Sequence, residues 1–278
     1  MSGGDRRGDP YPRRIACLCT EAVEVLYALG EADRIAGISG FTVRPPEARR
    51  DKPKISGFSS GKLERILAVE PDLVLAFSDL QADMCRDLVR AGVEVHVFNQ
   101  RSIAGILRMI VTTGALVGRA TEAQRLVDDL RRGLDDARVR GEARIARHGR
   151  RLRVYFEEWD EPLISGIRWV SELITLAGGE DVFADFATRH SAKERRIEDP
   201  LTVVARAPDI IIGSWCGKKF QPEHVRARPG WAEVPAVARD RLYEIKSPLI
   251  LAPGIAALTD GLAALEACLD AAAADQKR

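Results

Sequence analysis

The residues with the chemistry to act are few and scattered. Trp215-Cys216-Gly217-Lys218-Lys219 begins like a dithiol motif, but position 219 is lysine. A dithiol cycle needs a resolving thiol, so redox chemistry is not expected here. What remains is a tryptophan face, a thiol at Cys216 and two cations. Together with Arg44 and Arg168, the cations Lys218 and Lys219 are suited to neutralising phosphate or carboxylate groups. Glu157-Glu158 and Asp160-Glu161 form an acidic run. Acid–base catalysis would use such a pair, but no Ser/His/Asp order, phosphate loop or dinucleotide glycine motif accompanies it. Glu157 is instead expected to accept hydrogen bonds from amides. His96, His148, His190 and His224 stand apart, none at ligand spacing from another His or Cys. Cys17 and Cys19 share one face of a strand and are expected as small apolar fillers. No catalytic residue, resident metal or required cofactor is expected, and the chain is not expected to be an enzyme.

Those residues must be held by regular elements, and the pattern repeats. Ile66-Leu-Ala-Val-Glu-Pro-Asp-Leu-Val-Leu-Ala-Phe77 is echoed by Val203-Val-Ala-Arg-Ala-Pro-Asp-Ile-Ile-Ile-Gly-Ser214, an offset of 137 residues. Arg14-Ile-Ala-Cys-Leu18 is echoed by Arg153-Val-Tyr-Phe-Glu157 at an offset of 139. Short apolar strands alternate with helical patterns, which implies largely parallel sheets with helices on their faces. Between the halves, Ala123, Leu126, Val127, Leu130, Leu134 and Ala137 fall at helical spacing in a run without proline. This predicts one helix over 121–147, about 37 Å long. The expected fold is α/β: two similar lobes with mainly parallel sheets, joined by one long α-helix. Its boundaries read 1–13 flexible N-terminus, 14–120 first lobe, 121–147 linking helix and 148–278 second lobe. A stiff link predicts a nearly pre-formed cleft rather than wide hinge motion.

Composition narrows the classes further. The chain has 278 residues, 46% hydrophobic and 30% charged, with a formal net charge of +1. That balance gives no reason to expect nucleic acid or an anionic membrane as a partner. No apolar stretch has the length or flanks of a membrane span or export signal. With Met1 as the true start, a cytoplasmic location is expected; a trimmed start would instead allow a periplasmic one. Five cysteines without a disulfide framework fit reduced thiols.

In open parallel sheets, ligands bind beyond the carboxyl ends of the strands. The aromatic residues concentrate there. Phe41, Phe58 and Phe77 fall in such loops of the first half, and Trp159, Trp169, Trp215 and Phe220 in those of the second. Three of the four tryptophans are included. Aromatic faces suit a large planar ligand.

Several phrases resemble, in order, the periplasmic binding proteins for vitamin B12, iron–siderophore complexes and haem. They are Glu24-Val-Leu-Tyr-Ala-Leu-Gly30, Asp33-Arg-Ile-Ala-Gly-Ile-Ser39, Arg44-Pro-Pro-Glu-Ala48, Gly57-Phe58 and Leu63-Glu-Arg-Ile-Leu-Ala-Val-Glu-Pro-Asp-Leu-Val-Leu-Ala76. The second half matches through Ile164-Ser-Gly166, Gly178-Gly-Glu-Asp-Val-Phe183 and Ala207-Pro-Asp-Ile-Ile-Ile212. The pattern is most similar to the cobalamin-binding branch. The resemblance implies a ligand clamped between two lobes, a cobalt corrinoid first and an iron–siderophore or haem second. A chelatase-like enzyme acting on a tetrapyrrole is the alternative of another class. It also implies aromatic contacts at Phe41, Phe58 and Phe77 and docking to an ABC importer through one carboxylate per lobe. Glu64 keeps the first of these positions. The internal repeat places Leu201 at the second, so the second docking carboxylate is absent. These departures, with the missing export signal, suggest a cytoplasmic relative that holds the ligand without delivering it.

Overall fold

A computed structural model describes residues 10–58 and 60–274. The expected flexible N-terminus, 1–13, falls mostly outside them. The chain divides into two α/β units. The first comprises the described residues up to Gln100 with Leu107–Val127, the second Arg101–Ile106 with the described residues from Asp128 onward.

The first unit holds five parallel strands: β1 (Ile15–Cys17), β2 (Ile35–Ser39), β3 (Lys54–Ser56), β4 (Leu73–Phe77) and β5 (Val95–Phe98), in the order β3-β2-β1-β4-β5. Strand order reverses between β1 and β4, the kind of switch point beside whose carboxyl ends ligands bind in open α/β sheets. The β1 and β4 side chains are buried on both faces, as expected of central strands covered by helices.

The second unit holds β6 (Leu152–Asp160), β7 (Leu163–Ser165), β8 (Gly179–Asp181), β9 (Ile210–Gly213) and β10 (Leu242–Glu244). Its main path is β10-β9-β6-β7, with β8 also paired to β6. Among the strand pairs named for the described residues of this unit, β6–β7 is antiparallel and the others are parallel. Its core gathers Tyr155, Phe183, Trp215, Phe220 and Trp231.

The sequence echo has a physical basis in each unit. The Asp72 carboxylate accepts the backbone N–H groups of Arg13 and Arg14 at 2.7 and 2.9 Å. Asp209 accepts the N–H of Arg153 at 2.9 Å and both nitrogens of the Arg150 guanidinium at 2.6 and 2.9 Å. Each Pro-Asp thus ties the entry of its own strand to that of the central strand. The residues just before, Glu70 and Ala207, adopt φ values of 45° and 40°. Side chains resist this left-handed region, and glycine does not. Ala207→Gly is therefore expected to stabilise the protein by up to about 1 kcal/mol. The measurement is the urea unfolding midpoint; an unchanged or lower midpoint would refute the strain.

One helix, Ala120–His148, runs for 29 residues. Ala123, Val127, Leu130, Leu134 and Ala137 form its buried stripe. Asp128–Arg131, Asp129–Arg132 and Asp135–Arg138 pair along its outside at i,i+3 spacing. Each pair adds a few tenths of a kcal/mol to helix stability.

Candidate functional site

In the first unit the strand-end loops are bound together by one side chain. Gln81 is buried; its carbonyl oxygen accepts the Phe77 N–H at 2.9 Å, and its amide donates to the carbonyls of Leu18 at 3.1 Å and Phe58 at 2.6 Å. It thereby joins the loops that follow β1, β3 and β4. On this support Phe41 and Phe58 stand 55% and 41% exposed, ring centroids 6.4 Å apart and planes at 79°. Leu80, after β4, is also exposed. The cavity beside Phe58 and Gln81 measures only about 20 Å³, room for one water. The aromatic rings therefore form an open shelf, not a closed pocket.

Other expected residues of this unit lie differently. Phe77 is buried at the end of the central strand β4. Arg44 pairs with Glu24 at 3.2 Å and is partly exposed. Cys17 and Cys19 are buried, and burial first, then Glu21, pushes both thiols up, Cys17 to about 12. They are inert fillers.

The loop after β1 also carries a group that the sequence reading passed over. Glu21 is buried in the first turn of the helix Thr20–Ala28. It accepts hydrogen bonds from Thr20 Oγ1 and Gln100 Nε2, each at 3.3 Å. Burial raises its pKa to about 7.

In the second unit the acidic run divides by the strand's alternation. Glu157 is fully buried and accepts the Arg228 guanidinium at 2.6 and 2.8 Å and the Trp215 indole N–H at 3.0 Å. Glu158 turns to Arg195, at 2.6 and 3.1 Å. Asp160 meets the Lys218 ammonium at 2.5 Å. That ammonium also lies 4.5 Å from the Trp159 ring centroid and 4.9 Å from that of Trp215, both favourable cation–π distances.

Glu157, Trp169 and Trp215 are buried in this unit. Glu157 lies on the inward face of β6, opposite Arg228. Trp169 donates its indole N–H to the Ile250 carbonyl at 2.8 Å. Trp215 packs edge-on against Phe220, with centroids 5.0 Å apart. Phe220 in turn covers Gly213, where any Cβ would collide with the ring. Trp159 is partly buried and donates to the Glu161 carbonyl at 2.7 Å. Arg168 and Cys216 are exposed, and Arg168 pairs with Glu172 at 2.8 Å. Arg228, which the sequence reading did not single out, is the partner on which Glu157 depends. No motif marks it, since a lone arginine 71 residues away carries no local signal.

Glu64 is exposed in the first turn of the helix Leu63–Leu67. Leu201, 53% exposed, opens the helix Leu201–Arg206. Among the described residues no group of three or more His, Cys, Asp or Glu side chains could hold a metal ion, and no helix is long and apolar enough to cross a membrane.

Comparisons with known proteins agree with this architecture. The vitamin B12-binding protein of Vibrio parahaemolyticus is 26% identical over 248 residues, covering 86% of this chain and 83% of its own. The crystal structure of the periplasmic vitamin B12 binding protein of Vibrio cholerae superposes with a TM-score of 0.74 at 22% identity, covering 96% of this chain and 99% of that one. A periplasmic haem-binding protein from Pseudomonas aeruginosa gives 0.79 at 20% identity, covering 93% and 92%. The periplasmic binding protein family model matches residues 15–249, most of the chain, so this protein belongs to the periplasmic binding protein family of solute-binding proteins.

Proposed function

We propose that this chain binds a cobalt corrinoid of the vitamin B12 type as a solute-binding protein, and that it holds the ligand rather than transforming it. The observation that carries the reading is the exposed Phe41–Phe58 shelf at the carboxyl edge of the first sheet. Two rings held nearly perpendicular offer a face and an edge to a broad macrocycle. The relatives named for vitamin B12 support it. The ion pairs of the second unit favour an amide-rich corrinoid over haem or an anionic siderophore: Lys218 and Arg168 already have carboxylate partners. The buried Glu157, Trp169 and Trp215 then shape the loops of that unit from below.

The test is spectral. The protein is mixed with cyanocobalamin, haemin or a ferric siderophore and passed through gel filtration. Cyanocobalamin should stay with the protein, and Phe41→Ala/Phe58→Ala should weaken its binding about 30-fold. Retention of haemin alone would overturn the corrinoid reading.

Transport is a separate part of the proposal. Glu64 supplies one docking carboxylate, and the apolar Leu201 occupies the second position. A holder that does not feed an importer follows from that pairing. Stimulated import by a reconstituted ABC importer would contradict it.

A further inference from the structure

Within the second unit, the later turns of the long helix Ala120–His148 and the C-terminal helix Leu262–Ala274 are joined by regularly spaced ion pairs. Arg140 holds Glu266 through two hydrogen bonds of 2.9 and 2.7 Å. One turn further along both helices, Arg144 holds Asp270 at 2.7 and 2.9 Å and also donates to the Ala177 carbonyl. Both partners advance by four residues, so the next turn should bring Arg147 and His148 opposite Ala273 and Ala274.

Among the described residues that third rung has no carboxylate. Arg147 and His148 make no ion pair within 4.0 Å among the described residues, although both act on Asp270 and help to hold its carboxyl below the usual range, after Arg144. A cavity of about 420 Å³ opens here, lined by Arg140, Arg144, Arg147, His148 and Asp270 with alanines between them. Its volume is that of a small-molecule site. The small alanine side chains leave it open, and its lining carries three guanidiniums against one carboxylate.

We propose that this groove is a second binding site, distinct from the strand-end loops, for a small molecule bearing a phosphate group. The phosphate takes the place of the missing carboxylate on the third rung and is gripped by Arg147 and His148. Arg140 and Arg144 are fixed in place by their own partners and line the wall. Guanidinium forks match phosphate oxygens in geometry and charge. The cavity is much larger than a phosphate ion, which leaves room for an organic body. The same chemistry could arrive as a soluble organic phosphate or as an anionic phospholipid headgroup.

Isothermal titration of the full chain with ADP and with inorganic pyrophosphate tests the soluble source. Cosedimentation with phosphatidylglycerol vesicles, against phosphatidylcholine vesicles, tests the lipid source. Binding in either arm should weaken about tenfold in Arg147→Ala and further in Arg147→Ala/His148→Ala, while Arg147→Lys keeps part of it. Arg147 is exposed, and the thermal midpoint of each variant separates lost binding from the helix-end charge effect. Absence of binding in both arms, or binding that Arg147→Ala leaves unchanged, overturns the site.

Discussion

Arg228→Ala is expected to lower the unfolding free energy by about 3–5 kcal/mol, a large share of the total for a protein of this kind. Glu157 has no exposed surface, and its oxygens rely on Arg228 at 2.6 and 2.8 Å. Burial works against the arginine cation, but the bonds to Glu157 outweigh it and raise its pKa. Burial and the nearby Glu157 also push the Tyr155 hydroxyl well up, so Tyr155 stays neutral and supplies no charge of its own. Removing the guanidinium leaves a carboxylate inside the core beside two uncharged groups, the Trp215 indole N–H and the Tyr155 hydroxyl. Glu157→Gln/Arg228→Met, which removes both charges, should recover most of the loss. Urea unfolding followed by tryptophan fluorescence reads both effects. A loss under 1 kcal/mol in Arg228→Ala would show that the pair does not hold the core.

The second large effect depends on pH. Glu21 keeps its proton in the folded state up to about pH 7, because burial raises its pKa from 4.5. The unfolded chain releases that proton near 4.5. Between those values the folded state binds more protons than the unfolded state, so stability falls as pH rises through the window. The full difference is about 3 kcal/mol, complete above pH 7 and absent below about pH 4.5. Glu21→Gln removes the titration while keeping a polar group beside Thr20 and Gln100. It is expected to be about 2–3 kcal/mol more stable than the parent at pH 8 and equal to it at pH 4. Unfolding curves at the two pH values decide this; parallel pH profiles for both proteins would show that Glu21 is already ionised.

Much of the architecture was legible before any coordinates. The doubled Pro-Asp phrases marked equivalent strands because each aspartate performs the same task, receiving the backbone of the neighbouring strand entry. The long helix was readable from its apolar stripe and the absence of proline. The strand Lys54–Ser56 escaped notice, since three residues at a sheet edge are too short to show alternation. The antiparallel β6–β7 pair escaped too, because the acidic run hid the length of β6.

Which chemistry-bearing residues face solvent was a different matter. Residue types and strand-end positions drew attention to Phe41, Phe58, Trp159, Trp169 and Trp215 alike. Loop position is a local property, and the sequence determined it. Exposure depends on what folds over a side chain from far along the chain, and only the tertiary structure decided that. It left Phe41 and Phe58 open, put Trp169 under Ile250, and matched Glu157 with an arginine 71 residues away. A buried charge must find its partner wherever the chain can bring one, and no spacing rule along the sequence encodes that meeting.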